Sequence, residues 1–190
     1  MHDIDGHKLE RRDFLRYMFS AAALPLIPND SLFNRVNKAF FERSLSFYNI
    51  HTGEKLNTVY FSMGHYLVDS IADINRILRD HRTGEVEQID VRLLDLLHSL
   101  NDTLESSEPF YVISGYRSPR TNRLMHMYSK GVATGSLHTK GRAADIRLPG
   151  VRLATLRGAA MELGMGGVGF YPNSGFIHVD TGKVKFWQGS

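Results

Sequence analysis

The chain has no cysteine. Thiolate catalysis, disulfides and cysteine-ligated structural zinc are therefore excluded, and any metal must rest on His, Asp and Glu. No Gly-x-Ser-x-Gly segment occurs, so the nucleophile elbow of the serine hydrolases is absent too. Basic residues form no long run and the formal net charge is only +3, which leaves no nucleic-acid footprint. The longest uncharged stretch near the N-terminus is shorter than the roughly 20 residues that span a bilayer. Internal repeats and low-complexity segments are lacking as well.

What remains is ordinary globular material. Of 190 residues, 42% are hydrophobic and 23% charged, enough for one domain with a core, plus a tail. A mildly basic surface suits an anionic polymer such as a cell wall.

The tail reads as an address. Arg11-Arg12-Asp13-Phe14-Leu15-Arg16 precedes the uncharged, Ala- and Leu-rich stretch from Tyr17 to Ile27. A basic region before a short apolar one describes a secretory signal, and paired arginines followed by Phe-Leu describe the twin-arginine route. Pro25 and Pro28 interrupt the place where a cleavage site would stand, so the segment is expected either to be removed or to stay as a membrane tether. Residues 1–43 are assigned to this signal or anchor and its linker. The folded domain is assigned to 44–190, with a periplasmic or envelope location.

Within the domain, alternation over Ser44 to Ile50 and an apolar run over Leu56 to Phe61 flank Thr52-Gly53, which predicts a hairpin. Helical spacing runs through Leu67, Val68, Ile71, Ile74, Ile77 and Leu78. Asp90 caps a second helix whose apolar face carries Leu93, Leu94, Leu97, Leu100 and Leu104. A strand over Phe110 to Ser114 is followed by a helix over Pro119 to Tyr128 and a loop over Ser129 to Gly141. The rest reads as a strand over Ala143 to Leu148, a helix over Val151 to Leu163, and strands over Gly167 to Tyr171, Phe176 to Asp180 and Val184 to Trp187. This order predicts an α+β fold, a small antiparallel sheet with helices packed on one side.

Of nine histidines, His2 and His7 lie in the leader. His65, His81, His98 and His126, in or beside predicted helices with no acidic or histidine partner at metal spacing, are expected to be structural or exposed, and His51, at the hairpin turn, structural. His138 and His178 differ. His138 stands in Ser136-Leu137-His138-Thr139-Lys140-Gly141-Arg142-Ala143-Ala144-Asp145, where a reversal at Gly141 folds the ring back toward the Asp145 carboxylate. On a later strand, His178 and Asp180 point to one side. A lone strand histidine is more often a satisfied core residue. Two imidazoles and a carboxylate are nonetheless a common catalytic zinc set.

The string Ser-x-His-x-x-Gly-x-Ala-x-Asp with a later strand histidine resembles the zinc signature of the D-Ala-D-Ala peptidases, in the fold group that includes the hedgehog domain. The match extends to Ser114-Gly115-Tyr116-Arg117-Ser118-Pro119, to the segment from Gly166 to Pro172, to that from Phe176 to Gly182, and to the stretch from Phe47 to Glu54. Together these resemble a subfamily of exported murein endopeptidases with twin-arginine leaders. The resemblance implies zinc on His138, Asp145 and His178, and an Arg117 that steadies a developing oxyanion. It implies peptidoglycan stem and crosslink peptides as partners, with no nucleic acid. Many relatives place an acidic general base three residues before the last histidine ligand, where this chain has Gly175. Asp180 is the substitute candidate, either as the base or as a group that orients a ligand imidazole. Tyr116, Ser136 and Tyr171 are candidate substrate contacts. Trimming of stem peptides by a carboxypeptidase activity, a zinc-holding binding module and a metal-free structural protein are the alternatives.

Overall fold

The computed structural model describes residues 42–128 and 133–189. The expected leader and linker lie outside these residues apart from Glu42 and Arg43, as do residues 129–132 of the expected loop. No helix among the described residues is long and apolar enough to cross a membrane.

Strands β1 (Glu42–Asn49) and β2 (Lys55–Ser62) form the expected hairpin, with Leu45, Phe47 and Asn49 buried at alternate positions. The buried Asn49 is satisfied: its amide donates to Ile77 O (2.9 Å) and its Oδ1 accepts from the N–H groups of His51 (3.0 Å) and Thr52 (3.3 Å). Next comes β3 (His65–Tyr66), too short to leave a periodic signal in the sequence. Helix α1 (Val68–Ile77) follows, then α2 (Val91–Thr103), whose first turn is capped by the Asp90 carboxylate accepting from Arg92 N–H at 3.0 Å. The remainder is β4 (Phe110–Ser114), α3 (Pro119–Tyr128), a short 3-10 turn (Leu137–Lys140), β5 (Ala143–Arg147), α4 (Leu153–Leu163), β6 (Gly167–Tyr171), β7 (Phe176–Asp180) and β8 (Lys185–Gln188).

The α+β class holds, but the sheet is neither small nor purely antiparallel. It has eight strands in the order β3-β2-β1-β4-β5-β7-β6-β8. Strands β1 and β4 are parallel because α1 and α2 carry the chain across between them. Strands β6 and β8 are parallel because, after β7, the chain passes the start of β6 and runs up its far side. That crossing is tight. A side chain at Gly166 would collide with the backbone oxygen of Asp180.

Helix α1 packs on β2, α2 on β1 and α4, and α4 on β6 and β7. Between them and the sheet lies the core: Leu45, Phe47, Phe110, Val112, Ile146, Ile177 and Val179 from the strands, with Leu93, Leu94, Leu97, Leu100 and Leu156 from the helices. Each such side chain contributes about 1.5–3 kcal/mol of burial. Because strand side chains alternate, the opposite face collects another set. Pairing places Ser114, Asp145, His178, Gly169 and Trp187 in one row across β4, β5, β7, β6 and β8. A bulge after Val112 is what brings Ser114 opposite Asp145.

Candidate active site

The 3-10 turn delivers His138. Ser136 starts it, its Oγ accepting from His138 N–H (3.4 Å) and its carbonyl from the Thr139 hydroxyl (2.7 Å). Gly141 ends it with φ 61°, and a side chain there would strike Gln88 O. Arg142 N–H then bonds Leu137 O at 3.0 Å and leads into β5. The reversal expected from the sequence thus folds His138 over Asp145.

Three groups converge there. His138 Nε2, His178 Nδ1 and Asp145 Oδ1 are separated by 3.1 Å (His–His), 3.2 Å (His138–Asp145) and 2.9 Å (His178–Asp145). What matters is where the protons are. His138 Nδ1 lies 2.7 Å from Gly115 O, which can only accept, so this nitrogen carries the N–H. His178 Nε2 lies 3.1 Å from Asp180 Oδ2, again an acceptor, so the hydrogen sits there. In the neutral rings the two inward nitrogens therefore present lone pairs, facing a carboxylate oxygen. Three acceptors within hydrogen-bond distance of one another repel unless a proton or a metal cation lies among them. The edges of a zinc tetrahedron with bonds of about 2.0–2.1 Å are about 3.3–3.4 Å, so this donor set needs only slight expansion to fit a metal. These residues form a metal-competent cluster.

The surroundings agree. The side chains of His138 and Asp145 are 2% and 6% exposed, while His178 keeps 11% and marks the open side. Burial, helped by the Arg117 charge, pushes the pKa of His138 down and keeps it neutral. Burial alone would raise Asp145, but the two imidazoles outweigh it and hold the carboxyl well below its usual range. For His178 burial opposes protonation, and Asp145 with Asp180 overcomes it, so its pKa is raised. Metal binding must displace that affinity for a proton.

Arg117 borders the cluster. Its guanidinium donates to Asp145 Oδ2 and to Ser114 Oγ (2.9 Å) and lies 3.3 Å from His138 Nε2, while its backbone N–H bonds His138 O (3.1 Å). Asp180 sits behind His178, not among the inward atoms. Its Oδ1 accepts from the N–H groups of Gly167 (3.1 Å) and Gly182 (2.7 Å), and its Oδ2 faces His178 Nε2. Tyr116 is 6% exposed and packs in the hydrophobic core. Tyr171 stacks on Phe176 at 4.7 Å and accepts from Trp187 Nε1–H at 3.1 Å. Gly175 occupies the β6–β7 turn with φ 71° and has no side chain to offer. Outside the cluster, His51 stacks on His81 at 3.8 Å, and His98 lies 3.4 Å from Asp102.

Sequence reasoning did not single out three participants. Gly115 supplies the carbonyl that fixes the His138 tautomer, Ser114 braces Arg117, and Trp187 lies over Gly169. The first two lie two and three residues before Arg117 in a motif already noted. Trp187 reaches the site only through the parallel pairing of β6 and β8, which has no local signal.

A family model described as peptidoglycan L,D-endopeptidase MepK matches residues 37–187. The chain belongs to that family. Among curated relatives, peptidoglycan L,D-endopeptidase MepK of Escherichia coli is 41% identical over 145 residues, covering 76% of this chain and 80% of that protein. Probable peptidoglycan L,D-endopeptidase MepK of Haemophilus influenzae is 39% identical over 190 residues, the full length of both chains. The matched span of the family model takes in the whole cluster, from Arg117 and His138 through Asp145 to His178 and Trp187.

Proposed function

We propose that this protein is a zinc-dependent L,D-endopeptidase that hydrolyses crosslinking peptide bonds of peptidoglycan. The observation that carries the chemistry is the meeting of His138 Nε2, His178 Nδ1 and Asp145 Oδ1, three lone-pair donors with no proton between them once both rings are neutral. Two imidazoles and a carboxylate suit zinc better than magnesium or calcium, which prefer all-oxygen shells. Zinc held there would supply Lewis acidity toward the scissile carbonyl and activate water.

The chain's own groups do the rest. Gly115 O holds His138 in the tautomer that leaves Nε2 free, and Asp180 does the same for His178. Arg117, permanently charged and braced by Ser114 and Asp145, would stabilise the oxyanion as it develops. Both oxygens of Asp180 are engaged, so we assign it to positioning the ligand and not to taking the proton of water. Ser136 shapes the turn, Tyr116 packs the core, and Tyr171 anchors Trp187 at the open edge. Arg11-Arg12 and the stretch after it would send the protein to the periplasm through the twin-arginine route, already folded around its metal, with the leader removed or kept as a tether.

A second reading rests on Gly175. A chain without a carboxylate at that place would hold zinc and bind the wall without cutting it. Digestion of purified peptidoglycan by the full chain, with and without zinc and a chelator, separates the two. Zinc-dependent loss of dimers joined by L,D bonds, read by mass spectrometry, is the expected result. One equivalent of bound zinc with no products would select the binding module. Release of terminal D-Ala alone would select a carboxypeptidase.

A further inference from the structure

One step along the strands from the metal cluster runs a second row of side chains. Lys55 pairs with Tyr48, Tyr48 with Tyr111 and Tyr111 with Arg147, across β2, β1, β4 and β5. On the far side Phe176 pairs with Tyr171 across β7 and β6. Arg147 follows Asp145 by two residues and Phe176 precedes His178 by two, so all share the cluster's face of the sheet. The two rows are about 7 Å apart.

The members of this second row touch. Lys55 Nζ lies 5.7 Å from the Tyr48 ring centre, Tyr48 meets Tyr111 edge-on at 4.9 Å, and the Arg147 guanidinium carbon lies 5.2 Å over Tyr111. Phe176 and Tyr171 stack at 4.7 Å. The four rings are half-buried, and Lys55 and Arg147 are exposed. Cross-strand aromatic pairs stabilise any sheet. Yet the solvent face of such a sheet is ordinarily polar. Here it carries four aromatic rings and two cations, and no carboxylate pairs with either cation among the described residues.

We propose that this row is the subsite that holds the crosslink, with Arg147 reading a free carboxylate next to the scissile amide. The proposal rests on the endopeptidase reading and names what that site recognises. Where the crosslink joins two diamino diacids through one amide, one carboxylate stays on the carbon that bears the amide nitrogen and a second on the other partner. Their aliphatic chains match the rings of Tyr48, Tyr111 and Phe176, and their carboxylates match Arg147 and Lys55. Arg147 stands one pleat from Asp145, within a side chain's reach of a group bound at the metal.

The test compares crosslinked muropeptide dimers carrying free carboxylates with the same dimers amidated, using the zinc-loaded full chain. Wild type should show a KM about tenfold lower for the free acid. In Arg147→Gln that preference should vanish through a rise in KM, with kcat within about twofold and zinc content unchanged. Arg147 is exposed, so the variant should fold, and Lys55→Gln provides a milder second case. An Arg147→Gln protein that still prefers the free acid would overturn the proposal. If wild type cuts neither dimer, pelleting with whole sacculi decides separately. Binding that Arg147→Gln weakens keeps the subsite while removing the endopeptidase, and binding that the variant leaves intact, or no binding, removes the subsite.

Discussion

The indole of Trp187 lies 5.2 Å from the imidazole of His178, the two rings tilted by 51°. This is the chain's one tryptophan, so its emission reports on the metal cluster alone. Zinc bound at His178 Nδ1 would change the charge and protonation of the ring beside the indole. Titrating zinc into chelator-stripped protein should therefore change tryptophan emission and saturate at one equivalent. The change should be absent in His178→Ala. Zinc that binds stoichiometrically by mass spectrometry without altering the emission would contradict the placement of the ring.

Gly169 makes that placement geometrically feasible. A Cβ there would lie 2.6 Å from the indole, and the indole is tied by its N–H to Tyr171 Oη at 3.1 Å. Gly169→Ala must push the ring off the sheet or break that bond. A loss of about 1–3 kcal/mol is expected, the usual cost of overpacking. Urea denaturation and the emission maximum of the folded state are the readouts, and both should move. A variant with neither shifted would place Trp187 elsewhere.

Asp180 is distinguished from a general base by what its removal does to the metal. If it orients His178, Asp180→Asn keeps an acceptor for the Nε2–H but loses the charge, and zinc affinity should fall about 10–100-fold. Competition against a chelator of known affinity measures this directly. Unchanged affinity with a collapsed kcat would instead make Asp180 the proton acceptor.

These residues also mark how far the sequence could be read. The turn that carries His138 over Asp145 is local: Ser136, Gly141 and small Ala143 specify it within ten residues, and periodicity places Leu93, Leu94, Leu97 and Leu100 on one face of α2. Alternation likewise put His178 and Asp180 on one side. Which imidazole nitrogen Asp180 meets is a matter of rotamer, and no periodic pattern encodes it. Partner choice between distant strands is equally hidden. The parallel pairing of β6 with β8, which brings Trp187 to His178, and the bulge that moves Ser114 opposite Asp145 depend on register, a property of two strands and not of either alone. Tyr116 shows the converse. It sits inside a functional motif, yet its ring packs into the core.

His81, stacked on His51, predicts a weakness to mild acid outside the His138–Asp145–His178 cluster. Their rings are 3.8 Å apart and nearly parallel at 14°, and His51 Nε2 donates to Ile113 O at 3.0 Å. Burial, with His51, Arg82 and Arg117 nearby, pushes the pKa of His81 down to about 4 against the opposing pull of Asp80. The folded protein therefore resists a proton that the unfolded chain accepts near pH 6.5. Between those two values the unfolded state binds more protons, so stability is full above about pH 6.5 and declines as the pH falls toward 4. The contribution should be on the order of 1 kcal/mol, since His81 is only half-buried and solvent screens it. Buried His138 acts in the same direction and His178 in the opposite one, and both are common to wild type and a His81 variant. Urea midpoints at pH 7 and pH 4.5 for wild type and His81→Gln isolate the term. Wild type should lose more stability than the variant over that interval, and equal losses would show that His81 does not contribute in this way.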